Sequence, residues 1–340
     1  MPMSLLMRLL ISVALLLLPA AAVAVDDQYL EDKAVEYDQW FQQWCSTGYG
    51  GASEVHFTDE TLSAIQSLGG TGDSTIWTGT YLAGEAYRYA VTGDQQAFDN
   101  AVKAVQTLHT HLKITGSPGY IARYAGPDEA PYNSGYVGGH SRYHQGEGEY
   151  EGSFWVGETS RDQYTGWFLG MAVAYDLLDD EEIRQMIRED IVEVVDTARF
   201  YYWFIIKETG TPSTVAAQIT PTMQLDWSLI EAHVTDDPYY WKLYEERFEK
   251  VAPMLPIDAK IGFFNRYYEH YGLNLSHETW FNILRLERDP NRLAFYRQVF
   301  DENVRPTVHK AHNVWYDYIY LANFGQAARD YQWTIEDDLR

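Results

Sequence analysis

Two aspartates and one arginine hold the positions in this 340-residue chain that best fit chemistry. Asp162 follows Arg161 in the run Ser160-Arg-Asp-Gln163, where a long Gly- and Tyr-rich stretch gives way to helical periodicity. The dipole favours a carboxylate in the first turn of a helix, and the stretch before it would bring substrate there. Asp73 precedes a helix-like segment that opens at Trp77 and is the candidate opposing carboxylate. Glu158 and Asp226 are alternatives for the same role. Hydrolysis of a glycosidic bond needs such a pair, one acid and one base or nucleophile flanking the bond. The ordinary duty of Asp at such places is to cap a helix or to form an Asx turn.

Other side chains extend this reading. Arg123 closes the loop Thr115–Arg123, and its planar fork suits a substrate carboxylate or sulfate. Arg161, Tyr164 and Trp77 lie close in sequence to the two aspartates and are candidate substrate contacts. His140, Arg142, Tyr143 and His144 fall together in the long stretch. Tyr and His would serve proton abstraction beside a uronate carboxyl, followed by protonation of the leaving oxygen. They would equally suit a lid that holds substrate. His277, and His312 with Asn313, start late helical segments and are candidates for the cleft lining, against plain core or capping duty.

Several chemistries are absent from the pattern. His277-Glu278 lacks the second His of a zinc-protease helix, and the pairs His140/His144 and His309/His312 are too isolated to argue a metal. No metal and no cofactor is therefore expected. The chain has no Gly-x-Ser-x-Gly elbow, no phosphate-binding loop and no dinucleotide fingerprint. Its single Cys, Cys45, has no nearby His and leaves no internal disulfide. Asn274-Leu-Ser276 is a formal glycosylation sequon, read here as a chance match. With 25 Lys+Arg against 49 Asp+Glu the net charge is −24, a surface that repels nucleic acid and anionic lipid. The expected partner is instead an oligo- or polysaccharide. The 27 Tyr and 11 Trp offer ring faces with polar tips, as sugar stacking requires, although a large helical core also uses them.

The elements that must position these groups follow from periodicity. Arg8, the apolar run Leu9–Leu18 and Ala22-Val23-Ala24 read as a secretory signal peptide over residues 1–24. The rest, 25–340, is expected to be one domain, secreted or periplasmic. Helices are predicted over residues 27–44, 58–68, 77–91, 95–112, 161–178, 181–206, 223–234, 239–251, 273–287, 292–304 and 308–324. Residues 253–264 read as irregular and 325–340 as an acidic tail. Thr92-Gly-Asp94, Asp179-Asp180, Asp236-Asp237-Pro238 and Asp289-Pro290 are turns that join eight of these helices into four hairpins. Residues 124–158 show no period and are expected as an ordered loop over a cleft. No run resembles a strand set, so the fold class is all-α.

One pattern recurs. Trp77-Thr-Gly-Thr-Tyr-Leu-Ala83 is answered about 87 residues later by Tyr164-Thr-Gly-Trp-Phe-Leu-Gly170. With Tyr87, the Thr92-Gly-Asp94 turn, Ala97, Ala101 and the Thr115-Gly-x-Pro-Gly-x-x-Ala-Arg123 loop, this run resembles the six-hairpin glycosidase-like superfamily. The resemblance spans most of residues 73–324, with four hairpins visible. It implies an α/α toroid of sequential helical hairpins, with a cleft at one end lined by inner-helix starts and long loops. Members of that superfamily include glycoside hydrolases, unsaturated-uronide hydrolases and polysaccharide lyases. The resulting expectation is an exported carbohydrate-active enzyme that hydrolyses glycosidic bonds through Asp162 and a second carboxylate. The alternatives are elimination on a uronic-acid polymer, an isomerase or dehydratase on the same scaffold, and a noncatalytic secreted binding module.

Overall fold

Each of the four expected turns carries an aspartate that caps the helix after it. A computed structural model describes residues 27–136, 140–214, 216–261, 270–309, 311 and 313–325. The signal-like segment, His312 and the acidic tail beyond residue 325 lie outside the described residues. Helix α1 is Asp27–Trp40, and the first hairpin is α2 (Ser74–Thr92) and α3 (Gln95–Lys113). The second is α4 (Arg161–Leu177) and α5 (Glu181–Phe200), the third α6 (Pro221–Thr235) and α7 (Pro238–Val251). After α8 (Leu255–Ile261), the fourth is α9 (His270–Leu286) and α10 (Pro290–Val299), and α11 (Val314–Phe324) follows. Asp94, Asp180, Asp237 and Asp289 each accept hydrogen bonds from main-chain N–H groups of α3, α5, α7 and α10. An N-cap of this kind is worth about 1 kcal/mol. Pro238 and Pro290 begin two of these helices, where a missing N–H costs nothing.

In the second and third hairpins the two arms differ in burial. In α4 every side chain from Gln163 to Ala174 is buried, and α6 is buried almost throughout. A helix enclosed on all sides belongs to the interior. The return helices bury one stripe each: Ala97, Ala101, Val105, Leu108 and Leu112 on α3, and Ile183, Ile187, Ile191 and Val194 on α5. Helices α4 and α6 meet in the core, where Trp227 stacks on Phe168 (4.7 Å) and on Tyr164 (5.1 Å).

The repeated Thr-Gly segments meet one another. A Cβ on Gly79 would overlap the Gly166 carbonyl, one on Gly166 would overlap Ile76, and one on Gly170 would overlap Gly79. Helices α2 and α4 therefore touch backbone to backbone, which any side chain at these positions would prevent.

The fold is mostly helical, yet it is not purely so. Strands β1 (Ser46–Thr47) and β2 (Gly51–Ala52) form a short pair, and β3 (Glu54–Phe57) pairs antiparallel with β4 (Ile65–Gly69) where a helix over 58–68 is expected. The stretch is too short to nucleate a helix unaided, and β-branched and aromatic Val55, Phe57 and Ile65 favour a pleated pairing. The expected loop over residues 124–158 contains β5 (Tyr124–Pro127), β6 (Tyr143–Gln145) and β7 (Ser153–Val156), with β7 central and antiparallel to both neighbours. Its strands escape a period search because all four residues of β7 are buried, so nothing alternates.

Smaller corrections concern ends. Helix α5 stops at Phe200 because Tyr202 and Trp203 turn left-handed (φ 55° and 66°). Helix α11 starts later than expected, and residues 255–261 are helical. Along α1, Tyr29, Tyr37 and Trp40 are exposed, and the contact to α2 is made by Phe41 stacked on Tyr81 (4.1 Å) and by Asp38 accepting from Arg88 (2.9 Å).

Candidate active site at two paired helix starts

The three-stranded sheet explains how Arg123 comes to sit between two helix starts. Arg123 precedes β5 and its N–H donates to Val156 O on β7 (2.8 Å), which holds it beside the Gly157–Ser160 segment leading into α4. Its carbonyl accepts from the N–H of Thr75, in the first turn of α2 (3.1 Å). The guanidinium then closes the junction. Nε donates to Glu158 O (2.8 Å), Nη2 to Ser160 Oγ (3.1 Å), and Nη1 to Gly72 O and to Asp73 Oδ1 (3.4 Å). Arg123 is buried, and its fork is occupied by the protein. A role in gripping a substrate carboxylate is replaced by one in pinning α2 to α4.

Asp73 and Asp162 share this junction. Asp73 makes no capping bond to α2. It accepts instead from Arg123 and from Gln163 Nε2 on α4 (3.1 Å), while Gln163 also donates to Gly72 O (3.2 Å). Asp162 Oδ2 accepts from Ser160 Oγ (3.4 Å) and from the Tyr271 hydroxyl at the start of α9 (3.5 Å), both long bonds. Burial raises the Asp162 pKa; the nearby Arg161 and Arg123 charges oppose this and the Asp73 charge adds to it. Tyr271 is itself pushed well above the ordinary phenol value, first by burial and then by the charges of Asp162 and Asp73. Trp77, half-exposed on α2, meets the Tyr271 ring edge to face at 6.4 Å. The site thus holds two carboxylates from neighbouring helix starts, a phenol, and an accessible indole.

The other expected residues fall into place around or away from it. Arg161 donates to Gln218 O (3.1 Å) at the mouth of the junction. Glu158 is left-handed (φ 54°), pairs with Lys207 (2.6 Å) and accepts from Thr214. These two partners lower its pKa to about 2, so it stays ionised and serves as a tether to the loop after α5. Asp226 is sealed in the core beside the Asn282 amide with no hydrogen-bond partner among the described residues, and burial lifts it far above the carboxylate range. Tyr164 is a core residue whose hydroxyl donates to Gly119 O (2.9 Å); two residues beyond Asp162, it points to a different side of α4.

Among the described residues no histidine hydrogen-bonds Asp73 or Asp162. His140 is exposed and lies against Tyr136 (5.2 Å), and His144 is stacked on Trp155 (4.0 Å). His277 is fully buried, donates from Nδ1 to Leu273 O (2.8 Å) and is lowered to about 4 by burial, so it is a neutral core residue. Asn313 caps α11 by accepting from Trp315 N–H (2.9 Å). Burial raises the Cys45 thiol, which disfavours its thiolate form. Among the described residues no group of three or more His, Cys, Asp or Glu is arranged to hold a metal ion, and no helix is long and apolar enough to cross a membrane.

Gln163, Ser160 and Tyr271 join the site without having been singled out from sequence. Gln163 and Ser160 flank Asp162 in one run and were within reach of inspection. Tyr271 lies 109 residues from Asp162 in a stretch without a motif, and only packing brings it in. Comparison of the chain with protein-family models, with curated proteins and with solved structures finds no match. The chemistry is therefore read from this geometry.

Proposed function

We propose that this chain is an exported carbohydrate-active enzyme that cleaves glycosidic bonds by acid/base hydrolysis, on a toroid of helical hairpins. The single observation that carries the reading is the convergence of Asp73 and Asp162 on one Arg123-pinned junction, beside an accessible Trp77. Asp162, whose pKa burial raises, is the acid that protonates the leaving oxygen. Asp73, held as an acceptor by Arg123 and Gln163, is the opposing base or nucleophile. Trp77 and Tyr271 offer ring faces and edges against which a sugar ring packs. The enclosed helices α4 and α6, each followed by a half-exposed return helix, support the toroid. Export rests on the sequence of residues 1–24.

Elimination on a uronic-acid polymer has weaker support. Arg123 is occupied, His140 packs on Tyr136 and His144 on Trp155, and Tyr271, with its pKa raised, is a poor base. The test is incubation of the mature chain with neutral and uronic-acid polysaccharides, following reducing ends together with the ultraviolet absorbance of an unsaturated ring. Reducing ends without that absorbance, lost in Asp162→Asn with the fold intact, are expected. Absorbance rising with the reducing ends would transfer the assignment to elimination. Turnover that survives in Asp162→Asn would remove Asp162 from its role.

A further inference from the structure

An open depression of about 720 Å³ lies at the carboxyl ends of α3 and α5, with none of the junction residues in its lining. Its size lies within the range of small-molecule sites. Phe200, Tyr201 and Tyr239 line it together with Thr197, Lys207 and Glu208. Phe200 is 75% exposed and Tyr239 60%, so both rings are largely open to solvent. Isolated surface aromatics are ordinary. Here three gather at one concave site, with Phe200 and Tyr201 edge to face at 4.9 Å.

The backbone that displays them is strained and pinned. Tyr202 and Trp203 are consecutive left-handed residues, a costly conformation for bulky side chains. Trp203 turns inward, buried beneath the Arg247 guanidinium (4.8 Å). Main-chain bonds from Trp203 N to Ala198 O (2.7 Å), Ile219 N to Trp203 O (2.9 Å) and Ile205 N to Ala217 O (2.9 Å) fix the segment that follows. The cavity wall is also joined to the candidate active site. Lys207 pairs with Glu158, and Glu158 O receives Arg123 Nε.

We infer that this cavity is a second saccharide-binding site, an outlying subsite that takes rings of the same polymer whose cleavage is assigned to Asp162 and Asp73. The inference rests on that reading for the class of ligand. Aromatic rings offer flat apolar faces to the C–H faces of a sugar. Thr197, Lys207 and Glu208 supply the donors and acceptors that hydroxyls require. A concave wall carrying both charge signs between aromatic rims fits a hydroxyl-rich chain better than a flat protein partner or a lipid surface.

The experiment uses the mature chain carrying Asp162→Asn, with Phe200→Ala plus Tyr239→Ala added in the test protein. Both added substitutions are at exposed positions, and unchanged melting confirms the fold. Affinity electrophoresis in gels containing xylan, mixed-linkage β-glucan, pectate or alginate reads binding. The same pair of substitutions in the otherwise unaltered chain reads turnover on polymer and on short chromogenic glycosides. The expected result is an approximately tenfold loss of polymer binding, about 1.4 kcal/mol, with polymer turnover reduced and short-glycoside turnover unchanged. Equal binding and equal polymer turnover with and without the two rings would overturn the subsite while leaving the hydrolase reading in place. Ring-dependent binding by a chain whose turnover ignores Asp162→Asn would keep the subsite and sink the catalytic assignment. A parent chain that neither binds nor cleaves any polymer would remove both. A parent that sediments as a dimer and becomes a monomer on loss of the rings would overturn the subsite in favour of self-association.

Discussion

Helix α4 carries an aspartate near each end, and the two behave oppositely. Asp162 and Asp176 are fourteen residues apart, about 21 Å along the helix, and both are largely withdrawn from water. Burial pushes each pKa upward. At Asp176 the hydrogen bond from His233 and the Arg285 guanidinium more than reverse that push, and its pKa falls below the ordinary value. At Asp162 the nearest partners are two long bonds to hydroxyls, the arginines stand off, and burial wins. The difference lies in how completely the protein answers the charge. A saturated carboxylate is part of the scaffold, whereas one left underanswered beside an accessible ring keeps capacity for a ligand.

The largest expected effect tests that contrast directly. Asp162→Asn should lower kcat by roughly 10²- to 10⁴-fold, the usual worth of general acid catalysis, with little change in melting. If melting collapses and activity merely follows it, the two ends do not differ in kind. Gly166→Ala should cost roughly 3 kcal/mol in denaturant unfolding, because its methyl meets the backbone of Ile76. The same change at Gly84, where a Cβ meets nothing, should be neutral or slightly stabilising. Asp176→Asn should cost about 2 kcal/mol, since it strips charge-assisted bonds from Arg285 and His233. Its turnover on polymer should stay within a few-fold of the parent.

The smallest effect concerns Glu278, on α9 between the two ends. It is fully buried with one long contact from Thr80 Oγ1 (3.3 Å), and burial raises it to about 8. Its folded pKa lies above the ordinary 4.5, so between these two values the folded chain binds more protons than the unfolded one. Stability contributed by protonated Glu278 is complete below about 4.5 and is lost as pH rises towards 8. Melting temperature followed from pH 5 to 8 should fall by a few degrees, and Glu278→Gln should flatten the slope. An unchanged slope in the variant would mean that Glu278 is ionised throughout.

The hairpins were legible because their signals are local. Asp94, Asp180, Asp237 and Asp289 announce caps within a few residues of the helices they start, and periodicity marks the arms. Asp73 and Asp162 could be picked out because both stand at helix starts. Their partners could not be read so easily. The occupation of Arg123 depends on three segments meeting in space, and the tie of Glu158 to Lys207 depends on a loop 49 residues away. Tyr164 misleads because periodicity says which residues share a face and leaves open which face meets solvent. The β5–β7–β6 sheet was hidden by uniform burial. The Thr-Gly repeat was visible as a pattern, but that its two copies press against each other follows only from the fold.

That contact has a consequence for stereochemistry. Asp73 and Asp162 extend from helices whose spacing is set by the thickness of bare main chain at Gly79, Gly166 and Gly170. For a pair of catalytic carboxyls the gap between them decides the anomer released: about 5–5.5 Å gives retention, and about 6.5–9.5 Å admits a water and gives inversion. Here the helix spacing beneath that gap is a property of the backbone. On the proposed hydrolase reading, that backbone spacing acts together with the Arg123 and Gln163 bonds that hold Asp73, and one methyl inserted at the crossing would act on the choice of anomer itself.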